Sequence, residues 1–204
     1  MALEFLVYDL RAGALHLGER PKGNLFKPCL RTIPFSAISG ALSHRFGVSP
    51  LRAVGYLEDS VGCNRLELLT YAPRDRVCGL SKIPLQVEYL ADVRGKVLIV
   101  ADEPARGIPE RFELALGGMR SRGFGRAEFS FLEKRASGDV QLGRLRVRVP
   151  EEEKARFGIR NVVRPVWGYL FRPTPNTQSG VYVRSLFEGS EVVGPKLLLE
   201  PDSR

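Results

Sequence analysis

The sequence predicts an α+β fold in two parts. The 204 residues are enough for one large domain or two small ones, and 44% of them are hydrophobic, so the chain supplies its own core. Up to about residue 135, apolar segments alternate between the periods of strands and helices. Beyond that point the apolar runs are mostly strand-like and are separated by glycine, proline and serine. We therefore predict an α+β domain over 1–135 and a β-rich subdomain over 136–204.

The first predicted elements are a strand, a long connection and a helix. Residues 2–10 form an apolar, β-rich run that predicts a strand. The connection over 11–35 is basic and rich in glycine and proline, and a loop of this length inside a domain is usually functional or mobile. A helix is predicted over 36–46, because Ser36 is a good N-cap and Gly47 is a typical C-terminal stop.

The rest of the first part is predicted as strands with a second helix. Strand-like runs lie at 52–57, 65–72, 83–90 and 95–101. Pro109 favours the start of a helix, so the apolar segment 109–117 is predicted as the second helix. A strand over 126–132 follows. This order of strand, helix, strands, helix and strand resembles the βαββαβ ferredoxin-like unit.

The second part is predicted to consist mostly of strands. Strand-like segments lie at 139–149, 161–171, 180–187 and 191–199. A short helix is predicted only over 151–157, because acidic residues in a first turn interact favourably with the helix dipole.

The charge of the chain favours a polyanion as partner. There are 31 basic and 23 acidic residues, which gives a net charge of +8, and 24 of the basic residues are arginines. The planar guanidinium group suits bidentate contacts to phosphate better than a lysine does. An arginine-rich codon usage is the alternative explanation of the composition.

Several other classes of protein are disfavoured by the composition. No run approaches the roughly 18 apolar residues of a membrane span, so we expect no membrane partner. The three cysteines, Cys29, Cys63 and Cys78, share no metal-ligand spacing, and two histidines are too few for a histidine-rich metal centre. The N-terminus lacks the features of a signal peptide. We expect a cytoplasmic protein with no metal and no other cofactor.

The segment 117-GGMRSRGFGRAEF-129 is the sharpest feature of the sequence. Its glycines let backbone approach a ligand closely, and Arg120, Arg122 and Arg126 lie among them beside backbone N–H groups. This composition favours binding to a nucleic-acid backbone, and a glycine-rich helix end before a strand is the structural alternative. Phe124 either stacks on a base or anchors the loop to the core. A Rossmann motif is not matched, because its glycines follow a strand and open a helix.

Two further segments are candidates for phosphate contacts. Small residues in 33-IPFSAISGALSHRF-46, at the start of the first helix, leave room for a ligand or for tight packing on a sheet. Arg144, Arg146 and Arg148 alternate with apolar residues, so in a strand their guanidinium groups line one face. That face is either solvated or a nucleic-acid stripe.

The first-helix segment 33–46 and the glycine-rich segment 117–129 resemble, in the expected order, motifs of the RAMP superfamily of CRISPR-associated proteins. GGMRSRGFGRAEF is similar to the glycine-rich loop of that superfamily, which follows a helix and precedes a strand. IPFSAISGALSHRF is similar to its first-helix segment of proline, serine, a small residue and Gly-Ala-Leu. The tail 180-GVYVRSLFEGSEVVGP-195 resembles the late β-hairpin of the larger subunits that cap type III effector complexes.

The resemblance implies an RNA-recognition-like fold and a role in antiviral defence. It implies a guide-RNA-binding subunit, similar to a small capping or backbone subunit of a type III complex. The expected partners are CRISPR RNA and other CRISPR-associated effector subunits. The residues expected to contact RNA are Lys22, Lys27, Arg31, Ser36, Ser39, Arg45, Gly117, Gly118, Arg120, Arg122, Gly123, Phe124, Gly125, Arg126, Arg144, Arg146 and Arg148.

The resemblance also leaves two activities to compare with the residues. Repeat-cleaving members are metal-independent ribonucleases with a general acid or base near the first helix, where His44 stands. Their glycine-rich loop lies near the C-terminus, whereas a long second part follows it here. Members that cut target RNA carry an aspartate between the first strand and first helix, and 11–35 has Glu19 as its sole acid. We expect a non-catalytic chain, with cleavage of repeat RNA by His44 as the alternative.

Two functions outside nucleic-acid binding were also compared with the sequence. An enzyme acting on a small molecule needs converging carboxylates or nucleophiles, and the nearest acidic cluster, Glu151 to Glu153, is interpreted as a helix turn. An assembly protein that contacts only other proteins stays open as a further alternative.

Overall fold

The computed structural model describes residues 3–18, 25–48, 50–75, 77–173 and 180–201. These residues form a seven-stranded sheet of β1 (Glu4–Leu15), β2 (Phe26–Lys27), β3 (Ala53–Leu57), β4 (Arg65–Tyr71), β5 (Leu85–Val100), β6 (Arg111–Ala115) and β7 (Arg126–Ala136). One α-helix of the described chain, α1 (Phe35–Phe46), packs on a face of this sheet. Within the same residues, no helix has both the length and the apolar character needed to cross a membrane.

The long strand β5 organises the sheet. It pairs with β3 and β4 along one side and with β1 and β2 along the other. β7 pairs with the free side of β1, and β6 pairs with β7 at the edge. All of these pairs are antiparallel except β2 with β5. The C-terminal end of β1 therefore lies beside the N-terminal part of β5 and the N-terminal end of β7.

Most predicted elements of the first part are confirmed. The predicted strands at 2–10, 52–57, 65–72, 83–90, 95–101 and 126–132 correspond to β1, β3, β4, β5, β5 and β7. The two predicted runs within β5 form one continuous strand. α1 is found where it was predicted, but it begins at Phe35 with Pro34 in the N-cap position, so Ser36 does not cap it. Gly47 ends the helix in the left-handed conformation, as predicted.

The second helix predicted over 109–117 is wrong, because this segment forms the strand β6. Phe112 and Leu114 are buried, whereas Arg111 and Glu113 are exposed, which is the period-two alternation of a strand. The βαββαβ order therefore lacks its second helix. The glycine-rich segment joins two antiparallel strands and does not follow a helix.

The C-terminal part of the described chain consists mostly of strands, as predicted. It contains β8 (Val140–Arg144), β9 (Val149–Pro150), β10 (Asn161–Arg164), β11 (Trp167–Pro173), β12 (Gly180–Leu186) and β13 (Glu191–Pro195). These strands form two three-stranded sheets, β10-β13-β8 and β11-β12-β9. The predicted strand 139–149 is interrupted after β8, and the predicted short helix is a 3-10 helix over Glu151–Phe157.

The two faces of the main sheet pack against different partners. On one face, Leu10 and Phe129 form a core with Ile38 and Leu42 of α1. On the other face, the C-terminal part covers a portion of the sheet and shares a second core with it. That second core contains Phe5, Val7, Val54, Leu98, Leu145, Val149, Phe157 and Leu198 among its buried side chains. The C-terminal strands are thus packed directly on the main sheet.

Two arginines connect the main sheet to the C-terminal part. Arg52 donates from Nε to Glu153 at 2.9 Å and from a terminal nitrogen to Asp102 at 3.0 Å. The guanidinium of Arg146 lies 3.4 Å from the centre of the Tyr56 ring, a cation–π geometry. Burial lowers the pKa of Arg146 and raises the pKa of Tyr56.

Replacing Arg52 with methionine should lower the free energy of unfolding. Asp102 and Glu153 would then be left partly buried without their cation. The expected loss is about 2 kcal/mol, between the small value of a surface pair and the larger value of a fully buried one. Urea unfolding measures it. Arg65→Met is the control, because both side chains of the Arg65–Asp92 pair are exposed, and it should cost less than about 1 kcal/mol. Equal losses in both variants would contradict the assigned role.

Candidate nucleic-acid interface

Two segments singled out in the sequence meet across one groove. A cavity of about 600 Å³ lies between α1, the loop over 117–125 and β11. We call this cavity the cationic groove and the loop over 117–125 the glycine-rich loop. The groove is lined by Leu17, Gly18, Leu30, Pro34, Ser36, Ala37, Gly40, Ala41, His44, Arg45, Leu114, Ala115, Gly117, Gly118, Arg120, Leu170 and Phe171.

The helix α1 presents one face to the sheet and another to the groove. Ile38 and Leu42 are buried in the core beneath it. The Ser39 hydroxyl donates to the carbonyl of Ala53 at 3.0 Å and accepts from its N–H at 2.9 Å. Ser39, expected to contact RNA, therefore ties α1 to β3 within the fold. The outer face supplies Ser36, Ala37, Gly40, Ala41, His44 and Arg45 to the groove.

The shape of the glycine-rich loop depends on two of its glycines. Gly117 and Gly125 have φ angles of +82° and +98°, which side chains rarely permit. A Cβ on Gly117 would lie 2.5 Å from the carbonyl oxygen of His16. A Cβ on Gly125 would lie 2.8 Å from the carbonyl oxygen of Leu116. Both glycines are therefore required by the chain's own backbone.

Several N–H groups of this loop are used inside the chain. The N–H groups of Gly118 and Gly125 donate to the carbonyl oxygens of His16 and Ala14, at 2.8 and 3.0 Å. Two further N–H groups close the 3-10 turn over Arg120–Arg122. The expectation that the loop offers free N–H groups to a ligand is wrong for these four.

His16 supports the groove and was missed by the sequence-based analysis. It is only 5% exposed, and its Nδ1 lies 2.8 Å from the carbonyl oxygen of Glu88 in β5. A Cβ on Gly18 or Gly118 would lie 2.4 or 3.2 Å from atoms of its ring. The ring therefore packs directly beside two glycines of the groove. No spacing in the sequence marks this role, because the contacts come from distant strands.

The structure divides the three arginines of the glycine-rich segment between different places. Arg120 is exposed in the groove and donates from Nε to the Gly117 carbonyl at 3.1 Å. Arg122 lies 4.8 Å from the centre of the Tyr71 ring. Arg126 lies on the sheet face away from α1 and forms two hydrogen bonds with Glu113, at 2.9 and 3.0 Å. These bonds lower the pKa of Glu113.

Phe124 is an anchor of the loop. Its side chain is buried, with 8% exposure, and its ring centre lies 5.0 Å from that of Tyr89 in β5. A ring in this position has no free face for a base. Of the two interpretations of Phe124, the structure favours the anchor.

The charges distinguish the cationic groove from a second concave surface. The groove contains Arg45, Arg120 and His44, and no carboxylate is among its described lining residues. A depression of about 550 Å³ on the open face of the sheet also carries arginines, but with acids beside them. Its charged lining residues are Arg11, Arg94, Arg126, Asp92 and Glu128. In the described part of the chain, no three His, Cys, Asp or Glu side chains are grouped so as to hold a metal ion.

The three alternating arginines do not form a stripe along one strand. β8 ends at Arg144, which is exposed. Arg146 packs on Tyr56 and donates to the Leu197 carbonyl at 3.1 Å. Arg148 is buried and forms two 2.7 Å hydrogen bonds with Glu188. The predicted common face of the three guanidinium groups is therefore wrong, because the latter two arginines are engaged inside the fold.

Lys27, Arg31 and Gly123 are not among the residues that line the groove. Arg31 is exposed, and Lys27 is half-buried in β2. Gly123, at the end of the 3-10 turn, lines the depression on the open face. Lys22 lies outside the described residues.

An aromatic surface next to the groove was also missed by the sequence-based analysis. Phe171 lines the groove, and its ring lies 5.5 Å from that of Tyr182, directly across the β11–β12 pair. Tyr169 and Tyr182 are 60% and 61% exposed. Arg184, opposite Tyr169, lies 3.8 Å from the ring centre of Trp167. Alternate positions share one face of a strand, so these rings continue from the end of the groove.

Replacing Phe124 with alanine should destabilise the protein by about 3 kcal/mol, because a buried ring is removed. Phe124→Leu keeps most of the apolar volume, so a much smaller loss is expected. Urea unfolding of both variants measures these losses. A Phe124→Ala variant with the parent's stability and weakened RNA binding would restore the base-stacking interpretation.

The architecture matches solved structures. The chain superposes with a TM-score of 0.63 on a chain in the cryo-EM structure of type III-B Cmr-beta bound to cognate target RNA, at 10% identity, covering 92% of this chain and 86% of that one. A structure of type III-B Cmr-beta bound to cognate target RNA and AMPPnP gives a TM-score of 0.59 at 10% identity, with 93% and 86% covered. No protein family and no characterised protein matches by sequence. The chain thus has the fold of a type III-B Cmr-beta chain.

Proposed function

We propose that this chain is a RAMP-type subunit of a multi-subunit, RNA-guided CRISPR effector complex that acts in antiviral defence. It binds single-stranded CRISPR RNA in the cationic groove and does not cleave it. The observation that carries the proposal is the groove itself. The glycine-rich loop and α1 bring Arg45 and Arg120 to one concave surface with no carboxylate among its described lining residues.

The fold supports this proposal. We interpret the strand order β7-β1-β5-β3, with α1 on one face, as a ferredoxin-like sheet in which β6 stands in place of the second helix. Two solved structures with this fold are of type III-B Cmr-beta bound to cognate target RNA. We therefore assign the region up to β7 to a ferredoxin-like RNA-binding domain and the remainder to a β-rich subdomain packed on it.

The lining of the groove matches the parts of a single RNA strand. Arg45 on α1 and Arg120 on the facing loop supply cations for phosphate groups. Phe171, which is half-buried, supplies apolar surface for sugars and bases, whereas Leu114 and Leu170 are buried residues of the lining. The exposed rings on the β11–β12 face extend this surface, and aromatic stacking binds bases without strict sequence preference.

The alternative function is a metal-independent endoribonuclease that processes CRISPR repeat RNA. One observation favours it, because His44 is exposed in the groove beside Arg45 and is therefore within reach of a bound RNA. General acid–base cleavage transfers one proton to the enzyme and another to the leaving group. His44 is the sole His, Cys, Asp or Glu side chain among the described lining residues, and the lack of a second acid–base partner there favours binding without cleavage.

Arg45→Ala and Arg120→Ala should each weaken binding of a labelled single-stranded repeat RNA roughly tenfold, because each loses a charge-assisted phosphate contact. The slope of log Kd against log salt should also fall by about 0.7 for each variant. Fluorescence anisotropy at several salt concentrations gives both quantities.

Arg126→Ala is the matched control for this experiment. It removes the same charge from the same segment, but Arg126 lies on the opposite face of the sheet. We expect the parent's affinity and salt slope. Equal losses in all three variants would show that net charge, and not the groove, binds the RNA.

Purified protein should leave repeat RNA intact, with or without Mg²⁺, because the described lining of the groove holds no second acid–base group. Denaturing gels of timed incubations test this. Metal-independent cleavage at one position that disappears in His44→Ala would establish the ribonuclease alternative. The same variant should keep the parent's RNA affinity, because it retains both arginines of the groove, Arg45 and Arg120.

A further inference from the structure

Gly40 lies in the middle of α1 and faces the cationic groove. It is exposed, and its backbone has the ordinary helical conformation and no positive φ. Apart from its two chain neighbours and the backbone of its own helix, a Cβ built on Gly40 would have no atom within 4 Å. The chain therefore has room for a side chain at this position.

The other glycines of the groove are in a different situation. A Cβ on Gly18 or Gly117 would lie 2.4 or 2.5 Å from an atom of His16, and one on Gly118 would lie 3.2 Å from it. A side chain at any of these three positions would crowd His16, which explains why glycine stands there. No contact of this kind explains Gly40.

Glycine also weakens the helix in which Gly40 stands. Glycine is among the least favourable residues inside a helix, because it has the most backbone freedom to lose on folding. α1 starts without a side-chain cap, since Pro34 occupies the N-cap position. The helix that forms one wall of the groove is thus less stable than it would be with alanine.

We propose that Gly40 is the closest-approach point of the groove, at which the sugar–phosphate backbone of a single RNA strand lies against the backbone of α1. This inference rests on the proposed function. A methyl group at position 40 would project into the groove and occupy the space of the RNA. Ala37 and Ala41 flank this point on the helix, and Arg120 lies on the facing loop for the adjacent phosphate.

The inference predicts opposite changes in stability and binding for Gly40→Ala. The melting temperature should rise by roughly 2–4 °C, because alanine favours the helix. The affinity for a labelled single-stranded RNA should fall at least tenfold, and Gly40→Leu should bind more weakly still. A residue that serves only the fold would not produce this pair of changes.

Gly13→Ala is the control. Gly13 also has open space around a Cβ, but it lies in β1 and lines the depression on the opposite face of the sheet. RNA affinity should be unchanged in this variant. An equal loss of affinity in Gly13→Ala would overturn the inference, because the effect would not be specific to the groove.

The outcomes separate the inference from the proposed function. If Arg120→Ala weakens binding and Gly40→Ala does not, the groove binds RNA but Gly40 is not a contact, and the inference fails alone. If Arg45→Ala and Arg120→Ala both bind like the parent, the groove is not the RNA site and both proposals fail. A lower melting temperature for Gly40→Ala would show that the fold itself requires the glycine, which also overturns the inference.

Discussion

The carbonyl groups of Ala14 and His16 accept hydrogen bonds from the glycine-rich loop, and these two bonds tie the loop to the end of β1. The His16 ring in turn is held by the carbonyl of Glu88 in β5. One residue later, the N–H of Leu17 lies 3.2 Å from the sulfur of Cys29, which belongs to the segment leading into α1. Burial raises the pKa of this thiol, so it stays neutral and packs as an apolar group. The same few residues therefore place both walls of the cationic groove.

The arginines of this chain serve different physical purposes, which a net charge of +8 conceals. Arg52 and Arg148 are paired with carboxylates at 2.7 to 3.0 Å, and Arg146 packs on a tyrosine ring. These side chains stabilise the contact between strands that are distant in sequence. On the open face of the sheet, arginines alternate with acids. The groove is different because Arg45 and Arg120 have no carboxylate beside them in its described lining, so their charge is available to a ligand.

Several elements could be predicted from local pattern because their residues interact with near neighbours. α1 carries its apolar stripe and ends at Gly47, and β4 and β7 appear as β-rich runs between turn residues. The segment 109–117 was misjudged, although its alternation of apolar and polar residues fits a strand, because Pro109 at its start favoured a helix. The segment forms a strand because it pairs with β7, whose residues lie about 15 positions away in sequence.

By itself, the sequence determined an α+β fold, the position of α1, and the two segments that form the cationic groove. Composition and spacing suffice for these features, since each depends on residues within one or two turns or strands. Only the tertiary structure decided which side chains of those segments reach the groove. Arg120 and Arg126 are six residues apart, yet they lie on opposite faces of the sheet, because a chain reversal separates them. Ser39 and Phe124 likewise point into the protein because of contacts that form only on folding. Ser39 bonds to Ala53 and Phe124 packs on Tyr89, and both partners lie on strands distant in sequence.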